Sequence, residues 1–317
     1  MSARHEKYQR LIDYCKTLPP TPTAVAFPCD QSSLVGAIDA ARIGLIAPTL
    51  FGPEARIRAE ASRHDLDLGS IPVVDCPSAD TAAAAAVASA KDGRAEALMK
   101  GSLHTDELMA AVVKRETGLR TRRRISHCFI MDVPNHDQVL VITDAAVNIF
   151  PTMEDKIDII QNAIDLVHAL EVKEKHEARV AILSAMETVN PKLASTMEAA
   201  ALCKMADRGQ ITGGVLDGPL ALDNAISLEA AQIKKIDSPV AGRANVLVAP
   251  NLEAGNMLAK ALSFLAGADA AGIVLGARVP IILTSRADSV MTRLASCAVA
   301  ALVAKSRRDR AAAAKAA

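Results

Sequence analysis

Short apolar runs of strand length recur through the first half of the chain, at residues 23–27, 43–47, 71–74, 97–99, 125–131 and 139–143. Stretches with helical spacing fall between several of them, at 34–42, 81–90 and 105–115. Strands this uniformly apolar are covered on both faces, so the alternation predicts α/β architecture around a mostly parallel sheet. A second series follows Pro151, with helices at 154–170, 192–208, 224–234 and 255–265. Strands are expected between them at 179–183, 214–216, 246–249, 272–274 and 280–283, before a last helix at about 288–305. Two α/β series follow one another, and the chain divides near residue 145. The basic, Ala-rich tail after Lys305 reads as a solvated helix end that frays.

A length of 317 residues suits two domains, because single cores stop growing at about 250–300 residues. Half the residues are hydrophobic but only 2% are aromatic, so Ala, Val, Ile and Leu must fill the core. Lys plus Arg and Asp plus Glu both number 36, which leaves no global field to draw nucleic acid or a membrane surface. Six scattered cysteines form no C-x-x-C pair and no zinc pattern, which points to a reduced, cytoplasmic protein without a structural metal. No run approaches the roughly 18 apolar residues of a membrane span.

Candidate chemistry gathers where strands end. Ser238-Pro239-Val240-Ala241-Gly242-Arg243 leads into the 246–249 strand, which empties into Pro250-Asn251-Leu252-Glu253-Ala254-Gly255-Asn256. Ligands of open α/β sheets sit at such strand ends, where helix N–H groups favour phosphate; a helix cap is the competing reading for Gly255 and Asn256. Thr284-Ser285-Arg286-Ala287-Asp288-Ser289 sets hydroxyls, a guanidinium and a carboxylate at a helix start, which suits either a phosphate or an ordinary cap. Lys100-Gly101-Ser102-Leu103-His104-Thr105 is a third polar turn, in which Lys100 meets an anion and His104 or Thr105 caps the helix. The Arg run at 120–124, before Ser126 and His127, reads as a solvated face or as a site for nucleotide phosphates. Asp144 to Pro151, Ser184 to Val189 and Asp217 to Asn224 are further polar turns, and several such turns converging on one cleft are harder to explain as caps than any one alone. The P-loop, the G-x-S-x-G elbow and the G-x-G-x-x-G fingerprint are all missing, which removes support for ATP-dependent transfer, α/β-hydrolase chemistry and Rossmann NAD binding.

On Lys100-Gly101 with His104-Thr105, Ser184 to Glu187, Asp217 to Asp223, Ser238 to Asn256 and Ser285-Arg286, the sequence resembles the phosphate acetyltransferase and phosphate butyryltransferase family. The Ser-Arg-Ala-Asp-Ser form and the Pro250 to Asn256 segment look more like the butyryltransferase branch. The resemblance implies a two-domain fold of the isocitrate/isopropylmalate-dehydrogenase type, with the active site in an interdomain cleft and the last helix packed on the first domain. The expected division is therefore 1–143 plus 285–317, and 144–284. It implies a homodimer that converts a short-chain acyl-CoA and phosphate into acyl phosphate and coenzyme A, without metal, other cofactor or covalent enzyme intermediate. Ser285 and Arg286 would bind phosphate and carbonyl oxygens, with Lys100, His104, Thr105, Ser126, Asn256 and Lys260 as substrate contacts.

Two positions depart from the acetyl-specific pattern. Thr292 stands where those relatives carry a proposed base, and Met109 where they carry a second arginine, whose role is then unfilled or taken by Lys100, Lys114 or Arg115. Asp288 is the only acidic side chain in the 285–296 stretch, so it is assigned as the replacement carboxylate. A metal- and NAD-dependent dehydrogenase of the same broad fold, conscripting Asp144, Asp217 and Asp223, is the competing enzyme. A non-catalytic protein that binds coenzyme A or acyl phosphate is the competing binder.

Overall fold

The computed structural model describes residues 6–134, 136–170, 177–283 and 288–316. The chain forms two compact units, one of residues 8–123 with 271–317, the other of residues 1–7 with 124–270. The first opens with α1 (Glu6–Cys15), β1 (Thr21–Ala26), α2 (Gln31–Arg42), β2 (Ile46–Gly52), α3 (Glu54–Arg63) and β3 (Val73–Asp75). It continues with α4 (Ala79–Lys91), β4 (Ala97–Lys100) and α5 (Thr105–Val112). The second holds β5 (Ser126–Asp132), β6 (Leu140–Thr143), α6 (Met153–Ala169), β7 (Ala178–Leu183), α7 (Ala194–Asp207) and β8 (Gly214–Leu220). It ends with α8 (Leu222–Ile226), α9 (Leu228–Ile233), β9 (Val246–Val248) and α10 (Leu252–Leu265). The chain returns to the first unit along β10 (Asp269–Leu275), then adds β11 (Ile281–Ile282) and α11 (Val290–Ala316).

Strands of the first unit run β3-β2-β1-β4-β11-β10, parallel except for the β10–β11 pair. Those of the second run β5-β6-β9-β7-β8, parallel except for the β5–β6 hairpin. The expected α/β class with mostly parallel pairing is therefore observed in each unit. Alanine does much of the packing: α4 buries Ala82, Ala83, Ala86 and Ala90, small side chains that bring helix and sheet backbones close. The Ser78–Thr81 capping box fixes its start.

Several expectations shift. The unit boundaries at 123/124 and 270/271 differ from the expected 143/144 and 284/285, since β6 takes β9 as its parallel neighbour and carries β5 with it. The single helix expected over 224–234 is two short ones, because Ser227 closes α8 and accepts the Ala230 N–H as the N-cap of α9. The tail does not end the last helix at Lys305: α11 continues to Ala316, with Arg308 on Glu96 and Arg307 Nη1 donating to the Arg278 carbonyl at 2.6 Å. Helices α1 and α3 arise where no helix is expected.

Candidate active site

In the first unit, β1 and β4 are parallel neighbours whose carboxyl ends lead into tightly joined loops. Gly101 N–H donates to the Ala26 carbonyl at 2.9 Å, and Ser102 donates to Phe27 O from both its N–H and its hydroxyl, each at 2.8 Å. A Cβ on Gly101 would fall 2.4 Å from Ala26 O and 2.5 Å from Phe27 O, so only glycine lets the loops meet. Lys100, half-buried at the end of β4, folds its ammonium over this loop and donates to the Gly101 and Leu103 carbonyls at 3.2 and 3.3 Å. His104 and Thr105 are exposed at the start of α5, and the Glu107 carboxylate accepts the His104 N–H at 2.6 Å. His104 is thus the N-cap of α5, as the capping reading anticipates, and Thr105 is its first residue.

Ser285 and Arg286 lie outside the described residues. Asp288, just beyond them, is half-buried, and its carbonyl accepts a hydrogen bond from Arg293 Nη1 at 2.8 Å. Thr292 is buried at the start of α11, where its N–H donates to Ser289 Oγ at 3.1 Å.

In the second unit the turn after β6 is built around Asp144, only 3% exposed. Its carboxylate accepts from four protein groups: the N–H of Ala146 and Val147, both at 2.9 Å, the His127 N–H at 3.2 Å, and Asn148 Nδ2 at 2.6 Å. Asn148 also donates to Ile125 O at 2.9 Å and accepts from Arg124 Nε at 2.7 Å. The last arginine of the run is therefore a structural partner, also joined to Asp155 at 3.3 Å. The start of α10 presses on this turn: Asn256 Nδ2 donates to Ala145 O at 3.1 Å, and Gly255 sits where a Cβ would be 2.5 Å from Asp144 O. Asn251 caps α10 by accepting the Ala254 N–H at 2.9 Å. Two sequence segments read separately, Asp144 to Pro151 and Pro250 to Asn256, thus interlock.

The remaining residues scatter. Ser126 is fully buried and accepts from Asn162 Nδ2 at 2.9 Å. Lys260 is exposed one turn beyond Asn256 on α10. The Ser238 to Gly242 segment is a brace for α8 and α9: Ser238 Oγ accepts the Val240 and Ala241 N–H groups at 3.0 Å, and a Cβ on Gly242 would strike Leu228 Cα at 2.5 Å. Asp223 and Glu187 both hold Lys234, at 3.3 and 3.1 Å. That contact depresses the Glu187 carboxyl and lifts the Lys234 ammonium, while Asp223 is lowered first by the Asn224 N–H and then by Lys234. Of the aspartates a dehydrogenase would conscript, Asp144 and Asp223 are thus committed to protein partners.

Burial sets the state of several titratable groups that lie wholly or partly out of solvent. The His127 imidazole, 1% exposed and edge-on to Phe129 at 4.4 Å, is pushed down to about 4 by burial, with Asp144 opposing. Burial also lifts the Cys15, Cys128, Cys203 and Cys297 thiols to about 12 and Cys29 to about 11.

Parallel strands whose carboxyl-end turns carry the candidate polar groups define an α/β protein with candidate anion sites at the ends of its strands. The structure matches the crystal structure of a branched-chain phosphotransacylase from Enterococcus faecalis V583 with a TM-score of 0.76 and 27% identity, covering 90% of this chain and 99% of that one. The family described as "Phosphate acetyl/butaryl transferase" matches residues 78–301. A phosphate acetyltransferase of Rhizobium meliloti is 65% identical over 96% of each chain. A phosphate butyryltransferase of Clostridium acetobutylicum is 38% identical over 94% of this chain and 98% of its own. The chain belongs to the phosphate acetyl/butyryl transferase family. The closeness to the butyryl branch expected from short motifs is not what whole-chain identity shows, which is 65% to the acetyltransferase against 38% to the butyryltransferase. Among the described residues no helix is long and apolar enough to cross a membrane.

Proposed function

We propose that this protein transfers a short-chain acyl group between coenzyme A and inorganic phosphate, with acetyl as the preferred group. The observation that carries this reading is the 65% identity to a phosphate acetyltransferase over 96% of both chains. A phosphate oxygen attacks the thioester carbonyl, the C–S bond breaks, and the departing thiolate takes up a proton. Reversal needs a base to deprotonate the thiol, and Asp288 is the candidate. Ser285 and Arg286 supply donors to the phosphate and the developing oxyanion, where preorganised hydrogen bonds are worth most. Asn256, whose Nδ2 donates to Ala145 O, is the proposed substrate contact at the start of α10. Lys100, His104, Thr105 and Lys260 complete the proposed substrate contacts, while Ser126, fully buried and bonded to Asn162, is withdrawn as one.

The reaction as proposed uses no bound metal or cofactor, coenzyme A being a substrate. A homodimer is part of the reading, supported by Met257, Phe264 and Leu265 on α10, which are 64%, 81% and 88% exposed. A cytoplasmic location is supported by six unpaired cysteines. The deciding experiment follows thiol release from acetyl-, propionyl-, butyryl- and longer acyl-CoA with phosphate or arsenate as acceptor. Acceptor-dependent release, fastest with acetyl-CoA, is expected. Acyl-CoA binding without acceptor-dependent release would replace the enzyme with a binding protein.

A further inference from the structure

Arg293 is the only charged residue between Val290 and Ala304, a stretch of α11 that is otherwise apolar or small. It is 9% exposed, and its Nη1 donates to Ser32 Oγ at 3.0 Å and to the Asp288 carbonyl at 2.8 Å. Neither acceptor is charged. Nε is buried without a hydrogen-bond partner among the described residues. A guanidinium removed from water costs several kcal/mol unless an anion compensates it, so a cation kept here points to an anion supplied from outside.

Its surroundings suit one. Ser32 is the second residue of α2, whose first-turn N–H groups give that helix end a partial positive charge. The Asp30 carboxylate at the same helix start is occupied by the Ser33 N–H at 2.9 Å and the Ser33 hydroxyl at 2.7 Å. Gly36, one turn along α2, leaves the space that Arg293 fills: a Cβ there would lie 3.1 Å from Arg293 Cδ and 3.5 Å from Nε. Strand β1 feeds α2 and pairs with β4, which ends at Lys100, so both cations belong to the same edge of this unit's sheet.

We infer that Arg293, seated on Ser32 at the α2 N-terminus, binds the phosphoryl group of inorganic or acyl phosphate. The inference rests on the acyltransferase reading for its substrate, but not for the existence of the anion site.

Steady-state kinetics of the full-length protein would separate the two. Arg293→Met is expected to raise the KM for phosphate about tenfold or more while the KM for acetyl-CoA stays within about twofold. Arg293→Lys, which keeps the charge and loses the fork, should recover part of that rise. An unchanged phosphate KM, or a rise confined to the acetyl-CoA KM, would overturn the assignment, as would equal effects of Met and Lys accompanied by a common loss of Tm. Should Arg293→Met fail to fold, Ser32→Ala removes only the seat. It is expected to raise the phosphate KM about threefold, and no change would count against the site. If the wild type shows no turnover, the acyltransferase reading fails alone. Calorimetric titration with inorganic phosphate then decides, with weaker binding to Arg293→Lys than to wild type expected and equal or absent binding in both fatal.

Discussion

Gly255→Ala tests whether the contact between α10 and the Asp144 turn is required. The added Cβ would stand 2.5 Å from Asp144 O, 3.1 Å from Ala249 Cβ and 3.3 Å from Ala145 Cα. Carbon and carbonyl oxygen approach to about 3.3 Å at closest, so the helix start and the turn must part by about 0.8 Å. The nearest obstacle is backbone, which no rotamer change relieves. Overpacking of this kind costs about 1–3 kcal/mol, and the better helix propensity of alanine returns up to about 1. A net loss of about 1–2 kcal/mol follows, or about 2–4 °C in Tm for each kcal/mol in a unit of this size. The same displacement stretches the 3.1 Å bond that orients Asn256, and a misplacement approaching 1 Å costs up to about 100-fold in rate. Thermal melting and kcat/KM for acetyl-CoA are the measurements. A variant with wild-type Tm and wild-type kcat/KM would refute both the close approach and the role given to Asn256.

Three other outcomes are expected. His127 is held below its ordinary 6.5 at about 4, so protons favour the unfolded chain; stability is full above pH 6.5 and declines by about 3 kcal/mol as pH falls toward 4. His127→Phe should flatten that slope in melts taken across the range, and identical slopes would contradict the buried neutral imidazole. Asp288→Asn should slow thiol consumption in the acyl-phosphate-consuming direction and alter its pH profile, whereas wild-type turnover and profile would remove Asp288 as the base. Arg286→Ala should cost about 3 kcal/mol or more of transition-state stabilisation, read as kcat/KM, and a near-normal value would exclude it as an oxyanion donor.

The strand-helix alternation was legible because parallel strands are buried on both faces, as β4 with its buried Ala97, Leu98 and Met99 illustrates. Helix α3 was not, since only Ile57 and Ala61 of its ten residues are buried and so small a face leaves almost no period. Helix α1 did carry a signal, in the spacing of Tyr8, Leu11, Ile12 and Cys15, beneath a polar composition. At the site, Gly255 is visible as a glycine, but a helix cap and a close approach demand the same residue, and only the position of Asp144 O distinguishes them. The Ser238 to Gly242 segment shows the opposite confusion, since a hydroxyl and a glycine that suit a ligand equally suit a brace on Leu228. Arg293 was detectable as a lone charge in an apolar helix, although its seat on Ser32 pairs residues far apart in sequence.

The burial of the cysteines bears on a protein proposed to handle a thiol substrate. Disulfide exchange and alkylation proceed through the thiolate, and thiols lifted to about 11 or 12 hold almost none of it at neutral pH. Mixed disulfides with oxidised coenzyme A should therefore form slowly on the folded chain. A colorimetric thiol reagent added during turnover should report released coenzyme A against a nearly silent protein background.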